Sequence, residues 1–196
     1  MGHAAAQPRR ATYADLEAVP PEKVAEIVDG ELYVFPRPAS PHTRAASKLG
    51  AALDGPFDAG RGGPGGSIIL DEPELHFPHP LRAEVEVVVP DLAGWRRERM
   101  PEMPEAAFFT LAPDWLCEVL SPSTKAHDRE RKMPIYARQR VRWVWLVDPI
   151  EQTLDVYTLL GEGGRWGEPR TDQGVARVRA VPFDAIELDL ALLWAR

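Results

Sequence analysis

Disulfide chemistry is the first thing this chain lacks. Cysteine occurs once, as Cys117, so no internal bridge can form, which fits a reducing cytoplasm. No apolar run approaches the roughly 20 residues that cross a bilayer, and the opening stretch carries no apolar signal core. A membrane role is therefore not expected. The glycine-rich stretch Gly55–Gly66 is followed neither by Gly-Lys-Ser/Thr nor by a helix pattern, so it reads as a mobile connection rather than a phosphate cradle. No Gly-x-Ser-x-Gly elbow surrounds Ser121, which argues against a serine nucleophile. Neither a helix-turn-helix nor an aromatic–basic stacking platform is visible along the chain. Positive charge is also in short supply. The 23 Lys and Arg against 30 Asp and Glu leave a net charge of −7, which disfavours indiscriminate nucleic-acid binding but not a local basic surface.

What is present is an ordinary globular composition, 44% hydrophobic and 27% charged over 196 residues. That length suits one domain. We expect a flexible tail over 1–11 and a single domain over 12–196. Thr12 can cap a short helix to Ala18. The strand-like runs of Glu26–Phe35 flank Asp29-Gly30, a strong hairpin signal. An alanine-rich helix is predicted from about His42 to Leu53, and a strand over Ser67–Leu70. His76 and His79 lie near Glu74, but the adjoining prolines predict an extended edge without fixed ligand geometry, so no metal is assigned there. In the strand region Ala83–Trp95 the alternation sets Glu84 and Glu86 opposite Val85 and Val87, and the apolar run ends at Pro90-Asp91, which places Asp91 where a strand bends. A loop carries Arg96, Arg97 and Arg99 to Pro104. A helix is predicted over about Lys125–Arg138, kinked or restarted at Pro134. Strands follow at Val141–Val147, Thr153–Leu159 and near Val175–Arg179, and an apolar segment, Ile186–Trp194, closes the chain. The order predicts an α/β class, a mixed sheet with helices packed on it.

The most informative stretch is Pro113–Thr124. Trp115, Leu116, Cys117, Val119 and Leu120 make the near-continuous apolar run of a strand buried on both faces. One carboxylate, Glu118, stands inside it. An unpaired ionised carboxylate there costs several kcal/mol or more, so it needs a cation, a proton or donors. Ser121, Ser123 and Thr124 follow, able to cap the next helix. The stretch from Lys125 to Arg142 is basic: Lys125, Arg129, Arg131, Lys132, Arg138, Arg140 and Arg142 against Asp128 and Glu130. Asp128, Lys132 and Tyr136 repeat every four residues and share a face. If the strand ending at Asp91 lies beside the Glu118 strand, two carboxylates approach within about 4 Å and repel by roughly 4 kcal/mol at an effective dielectric near 20. A divalent cation relieves that repulsion. Oxygen-only ligands suit Mg²⁺ or Mn²⁺, whose retained waters serve phosphodiester hydrolysis. Alone, Asp91 also reads as a strand-end turn residue, Lys132 as a surface partner of Asp128, and Cys117 as core.

Taken together, Glu26-Ile27-Val28-Asp29-Gly30-Glu31-Leu32, His42, Val89-Pro90-Asp91-Leu92, Glu118–Thr124, Asp128, Lys132, Tyr136 and Trp145-Leu146-Val147-Asp148-Pro149 resemble the Uma2 family, a bacterial group assigned as restriction endonucleases. The resemblance runs from about Thr12 to Leu160. It implies the PD-(D/E)XK nuclease fold, a central mixed sheet flanked by helices, with a metal site where two central strands diverge. Carried over, Asp91 and Glu118 are metal ligands and the Val119 backbone carbonyl is a third. Leu120 stands where that superfamily usually has its Lys. Lys132 fits that role from the following helix, about 6 Å along the axis from Asp128 on the same face, and Lys125 is the second choice. Glu31, His42 and Ser121 stand as accessory candidates.

The resulting expectation is a Mg²⁺- or Mn²⁺-dependent DNA endonuclease with Asp91, Glu118 and Lys132 catalytic, acting as a cytoplasmic homodimer because cutting both strands needs two sites. Two rivals stay open. One is a catalytically degenerate nuclease-fold binding or assembly module, favoured by the acidic net charge and the missing Glu-x-Lys. The other is a phosphodiesterase acting on small nucleotides.

Overall fold

The computed structural model describes residues 9–81, 85–161 and 163–195. Residues 1–8 of the expected tail and Glu84 of the expected alternation lie outside the described residues.

Helix α1 (Tyr13–Glu17) starts at a capping box in which Thr12 and Asp15 satisfy each other's backbone N–H groups. Strands β1 (Lys23–Val28) and β2 (Glu31–Pro36) form the predicted hairpin. Asp29 and Gly30 both take positive φ, 54° and 77°, as a two-residue Asp-Gly turn requires. Helix α2 (Ser40–Leu53) has Pro41 in its first turn and buries His42, Ala45, Leu49 and Leu53 along one stripe. A π-helical turn, Asp54–Asp58, extends it into the stretch expected to be loop. Then come β3 (Ser67–Asp71), β4 (Leu75–Pro78), β5 (Val85–Val88), β6 (Leu92–Arg96) and β7 (Trp115–Val119). α3 (Lys125–His127), a π turn at Asp128–Lys132 and α4 (Met133–Arg138) run on as one helical segment. The chain ends through β8 (Trp143–Asp148), β9 (Thr153–Leu160), β10 (Arg165–Trp166), β11 (Arg170–Gln173), β12 (Arg177–Val178), β13 (Leu188–Asp189) and α5 (Ala191–Trp194).

A seven-stranded mixed sheet runs β10-β9-β8-β7-β6-β3, with β11 paired to β9. β7 and β8 are parallel, and the helical segment 125–138 is their crossover. A four-stranded sheet runs β2-β1-β5-β4. The expected α/β class is what the structure has. Sequence alternation sorts the large sheet's two faces. Trp115, Cys117, Val119, Trp145 and Val147 join α2 and the C-terminal segment in one core. Leu116, Leu120, Val144 and Leu146 join Ile135, Tyr136, Val28 and Val88 in the other. Glu118 belongs by alternation to the second face, covered by the helical segment and the small sheet.

The expected strand region Ala83–Trp95 gives, among the described residues, two strands in different sheets, β5 and β6, the second formed although Leu-Ala-Gly-Trp has poor strand propensity. The small residues are there for close approach. Gly94 sits opposite Trp115, and a Cβ added at Gly94 would lie 3.2 Å from Trp115 Cε3. Trp115 is boxed in by Trp145 and Phe183, ring centroids 5.2 and 4.8 Å away, so it cannot yield. Gly94→Ala should therefore lose about 1–3 kcal/mol to overpacking, more than the roughly 0.4–1 kcal/mol gained by stiffening the unfolded chain. A lowered urea midpoint at constant m-value is the expected observation.

A candidate active site where the two sheets meet

Asp91 stands where the chain leaves one sheet for the other. β5, in the small sheet, stops at Val88, and β6, in the large sheet, starts at Leu92. Pro90 has no N–H to continue a ladder, so pairing lapses between them. β6 pairs antiparallel with β7, Leu92 against Cys117, and the same register carried one residue further sets Asp91 against Glu118. The Val119 N–H donates to Asp91 Oδ2 at 2.7 Å. His42 Nε2, from α2, meets Asp91 Oδ1 at 3.1 Å.

The remaining groups arrive from three other elements. The π turn carries Asp128 and Lys132 inward, 4% and 3% exposed. β1 supplies Glu26 and β7 supplies Glu118, each 2% exposed. Lys132 Nζ lies 2.8 Å from both Glu26 Oε1 and Glu118 Oε1, 3.1 Å from the Val89 carbonyl and 3.7 Å from Asp128 Oδ1. The Tyr136 hydroxyl also donates to Glu118 Oε1. Glu26 is more fully occupied: Oε1 accepts the Val89 N–H at 2.8 Å, and Oε2 lies 2.8 Å from His127 Nε2. The His127 ring is wedged against Tyr33 and Phe35, 4.5 and 4.9 Å between centroids.

One cleft, about 60 Å³, is lined by Glu26, His42, Glu72, Asp91, Glu118, Ser121, Asp128 and Lys132. That exceeds the roughly 10–15 Å³ a single water needs, and is room for a few waters or for an ion with part of its shell. Asp91, Glu118, Lys132, His42 and Ser121 thus come together. Glu31 does not: it is exposed at the far end of β2, where Tyr33 donates to it. Lys125 points instead to Asp148, at 2.7 Å. Ser121 Oγ is engaged with Ser123 and Thr124.

Sequence reasoning placed the hairpin's acid at Glu31, whereas Glu26 is the one turned inward. The available signal was face sharing: Glu26 and Val28 stand two apart on one strand, so both meet the core when Val28 does. The role of His127 had no local signal, because its partner is 101 residues away. Nothing along the chain ties Glu72 to the site either. Its φ of +46°, unusual for a non-glycine residue, is held by its N–H bond to the Asp91 carbonyl.

The charges do not balance. Burial opposes ionisation of Glu26, but Lys132, His127 and the Val89 N–H overcome it and leave its pKa below the usual value. Burial pushes Glu118 well above the usual carboxylate range; Lys132 pulls it back, while Asp128, Asp91 and Glu26 raise it further. Burial likewise keeps the Tyr136 phenol protonated, as a donor to Glu118. It also raises the Cys117 thiol, which is inert core. One ammonium therefore faces Glu26, Glu118 and Asp128, with Asp91 beyond them. Excess carboxylate in a small oxygen-lined cleft is a donor set that fits a hard divalent cation.

Another group in the described residues, Asp29, His79 and Glu86, has ligand atoms within 4.8 Å of one another and could hold a metal ion. Its bonds are already satisfied from within. Arg138 reaches Glu86 Oε1 at 2.9 Å, the Asp29 N–H reaches Oε2 at 2.9 Å, and the Leu81 N–H donates to His79 Nδ1.

Comparison with known proteins gives the family and the fold. The sequence profile of Uma2, described as "Putative restriction endonuclease", matches residues 10–191. A solved structure described as "a putative nuclease belonging to DUF820 from Anabaena variabilis ATCC 29413" has the same fold, with a TM-score of 0.73. Its sequence is 23% identical, over 94% of this chain and 97% of that one. No curated protein matches the chain.

Burial raises Asp128 from 3.8 to about 6. A carboxyl whose folded pKa lies above its unfolded one binds its proton more tightly in the native state. Stability should then fall as pH climbs from about 4 to about 6, by up to about 3 kcal/mol. Glu118, raised for the same reason, extends the fall upward in pH. Melting curves in EDTA across that window should show the decline, and Asp128→Asn should flatten it.

Proposed function

This chain belongs to the Uma2 family, and from that premise we propose that it is a metal-dependent endonuclease hydrolysing DNA phosphodiester bonds. The observation that carries the reading is the convergence of Asp91, Glu118 and Lys132 on one cleft holding more carboxylate than its single ammonium can neutralise. Asp91, Glu118 and the Val119 carbonyl would hold Mg²⁺ or Mn²⁺. Bound there, the ion supplies Lewis-acid stabilisation of phosphoryl oxygens and a more acidic water.

The chain's own residues do the positioning. The Val119 N–H fixes Asp91 from one side. Tyr136 and Lys132 both take Glu118 Oε1 and so set the plane of that carboxylate. Glu26, itself held by His127 and the Val89 N–H, keeps the Lys132 ammonium at the cleft. From there Lys132 orients the attacking water and stabilises charge developing on the phosphorane. Cutting both strands of a duplex calls for two such sites, so the reading includes a homodimer. No helix of the described residues is long and apolar enough to cross a membrane, and with a single cysteine the reading is of a cytoplasmic enzyme.

A second reading has its own support. Glu118 is bonded to both Lys132 and Tyr136, as in a structural ion pair, which suits a nuclease-fold binding module that no longer cuts. Two measurements separate them. Plasmid DNA with Mg²⁺ or Mn²⁺ should be cut by the wild-type protein and at least 100-fold more slowly by Glu118→Ala; identical behaviour ends the endonuclease reading. Calorimetric titration with Mn²⁺ should show binding that Asp91→Asn abolishes, whereas a purely structural salt bridge binds no Mn²⁺. Comparing plasmid with dinucleotide substrates tests the small-nucleotide alternative.

A further inference from the structure

The seam between the helical segment and the β9–β10 turn carries a second feature, outside the carboxylate cleft. An open groove of about 740 Å³ is bordered by Arg129, Met133, Arg138 and Arg140 on one side and by Arg165 and Trp166 on the other. Among the described residues no Asp or Glu lines it. In a chain of net charge −7, that is a local reversal of sign. We infer that this groove binds the phosphate backbone of a nucleic acid, holding the substrate while a neighbouring phosphodiester enters the cleft. The inference deepens the endonuclease reading and rests on it.

Four arginines meet there in two states. Arg129 is tied to Asp155 at 2.9 Å and Arg138 to Glu86 at 2.9 Å. Each guanidinium is thereby immobilised, with further N–H donors left over from its fork. Arg140 and Arg165 are exposed and form no ion pair among the described residues. Arg140 donates only weakly, to the Gly161 carbonyl at 3.4 Å. Among the described residues, two anchored and two unpaired guanidiniums leave about two positive charges in excess, the arrangement that captures phosphates and releases their counterions. Trp166 has its indole N–H committed to the Met133 carbonyl at 3.1 Å, so its ring is held at the groove wall. A fixed aromatic ring beside arginines suits stacking of a base from an opened or single strand.

Position links the groove to the site. Arg129, Met133 and Ala137 form the helical stripe next to Asp128, Lys132 and Tyr136, about 100° around one axis. A helix is about 10–12 Å across, so a backbone seated on one stripe is within a few nucleotides of the other. Free inorganic phosphate fits a single arginine fork equally well, but only a polyanion engages Arg129, Arg138, Arg140 and Arg165 at once. The acidic face of a second copy is the competing macromolecular occupant.

Fluorescence anisotropy with labelled single-stranded and duplex oligonucleotides in EDTA, over a range of KCl, tests this without any cleavage. The double variant Arg140→Glu/Arg165→Glu should bind at least 10-fold more weakly at low salt. Its plot of log K against log salt should be shallower by about 1.4–1.8, two phosphate contacts' worth. The double variant Arg61→Glu/Arg177→Glu changes net charge equally on other surfaces and should bind like wild type; melting curves confirm that both are folded. Equal weakening in the two variants, or no binding by the wild type, overturns the inference. So does sedimentation showing that the groove variant has lost self-association instead. Because metal is absent, a failure to cut DNA leaves this result standing, and a groove failure leaves the cutting result standing.

Discussion

A single buried ammonium holds the site together. Lys132 Nζ sits between Glu26 from the small sheet and Glu118 from the large one, and also takes the Val89 carbonyl of the segment that crosses between them. It ties the helical segment to both sheets at the point where their ladders lapse. Such a contact is not mainly a source of stability, because taking charges out of water costs several kcal/mol per ion, roughly what their attraction returns. Its effect is geometric. Removing either sign would leave the other stranded, so the arrangement admits few alternatives.

The carboxylates around that ammonium are not equivalent. Glu26 has both oxygens committed to protein donors and is thereby a positioning group for the lysine. In Glu118 both donors fall on one oxygen, and Asp91 is gripped by a backbone N–H and a histidine at separate oxygens. Burial disfavours the ionised form of Glu118 and of Asp128. The site is thus preorganised yet short of positive charge, a combination that an added hard cation relieves. Outside it, Arg140 and Arg165 carry positive charge with no acidic partner among the described residues, a short way around the same helix.

Much of this was legible in the chain. The Asp-Gly hairpin, the alanine-rich helix, the wholly apolar strand around Glu118 and the four-residue repeat of Asp128, Lys132 and Tyr136 are local patterns, read from periods of 2 and 3.6. The likeness of those motifs to the Uma2 family rests on the same local order. That the strand region Ala83–Trp95 is shared between two sheets was not legible, because β6 is placed in the large sheet by its long-range pairing with β7, Gly94 against Trp115. The arginine–tryptophan groove was invisible for a related reason. Its halves, 129–140 and 163–166, are separated in sequence by β8 and β9.

By itself, then, the sequence determined the main helices and strands around the site and that Glu118, buried in an apolar strand, must have a partner, since both follow from local periodicity and from the cost of burying charge. Tertiary structure decided who those partners are. It chose Glu26 over Glu31, recruited His127 and Tyr136, and moved Asp91 from a strand end to the crossing between two sheets. Those choices depend on register and on the packing of one sheet over another, which bring together residues 18 to 106 positions apart and leave no trace in any short stretch of chain.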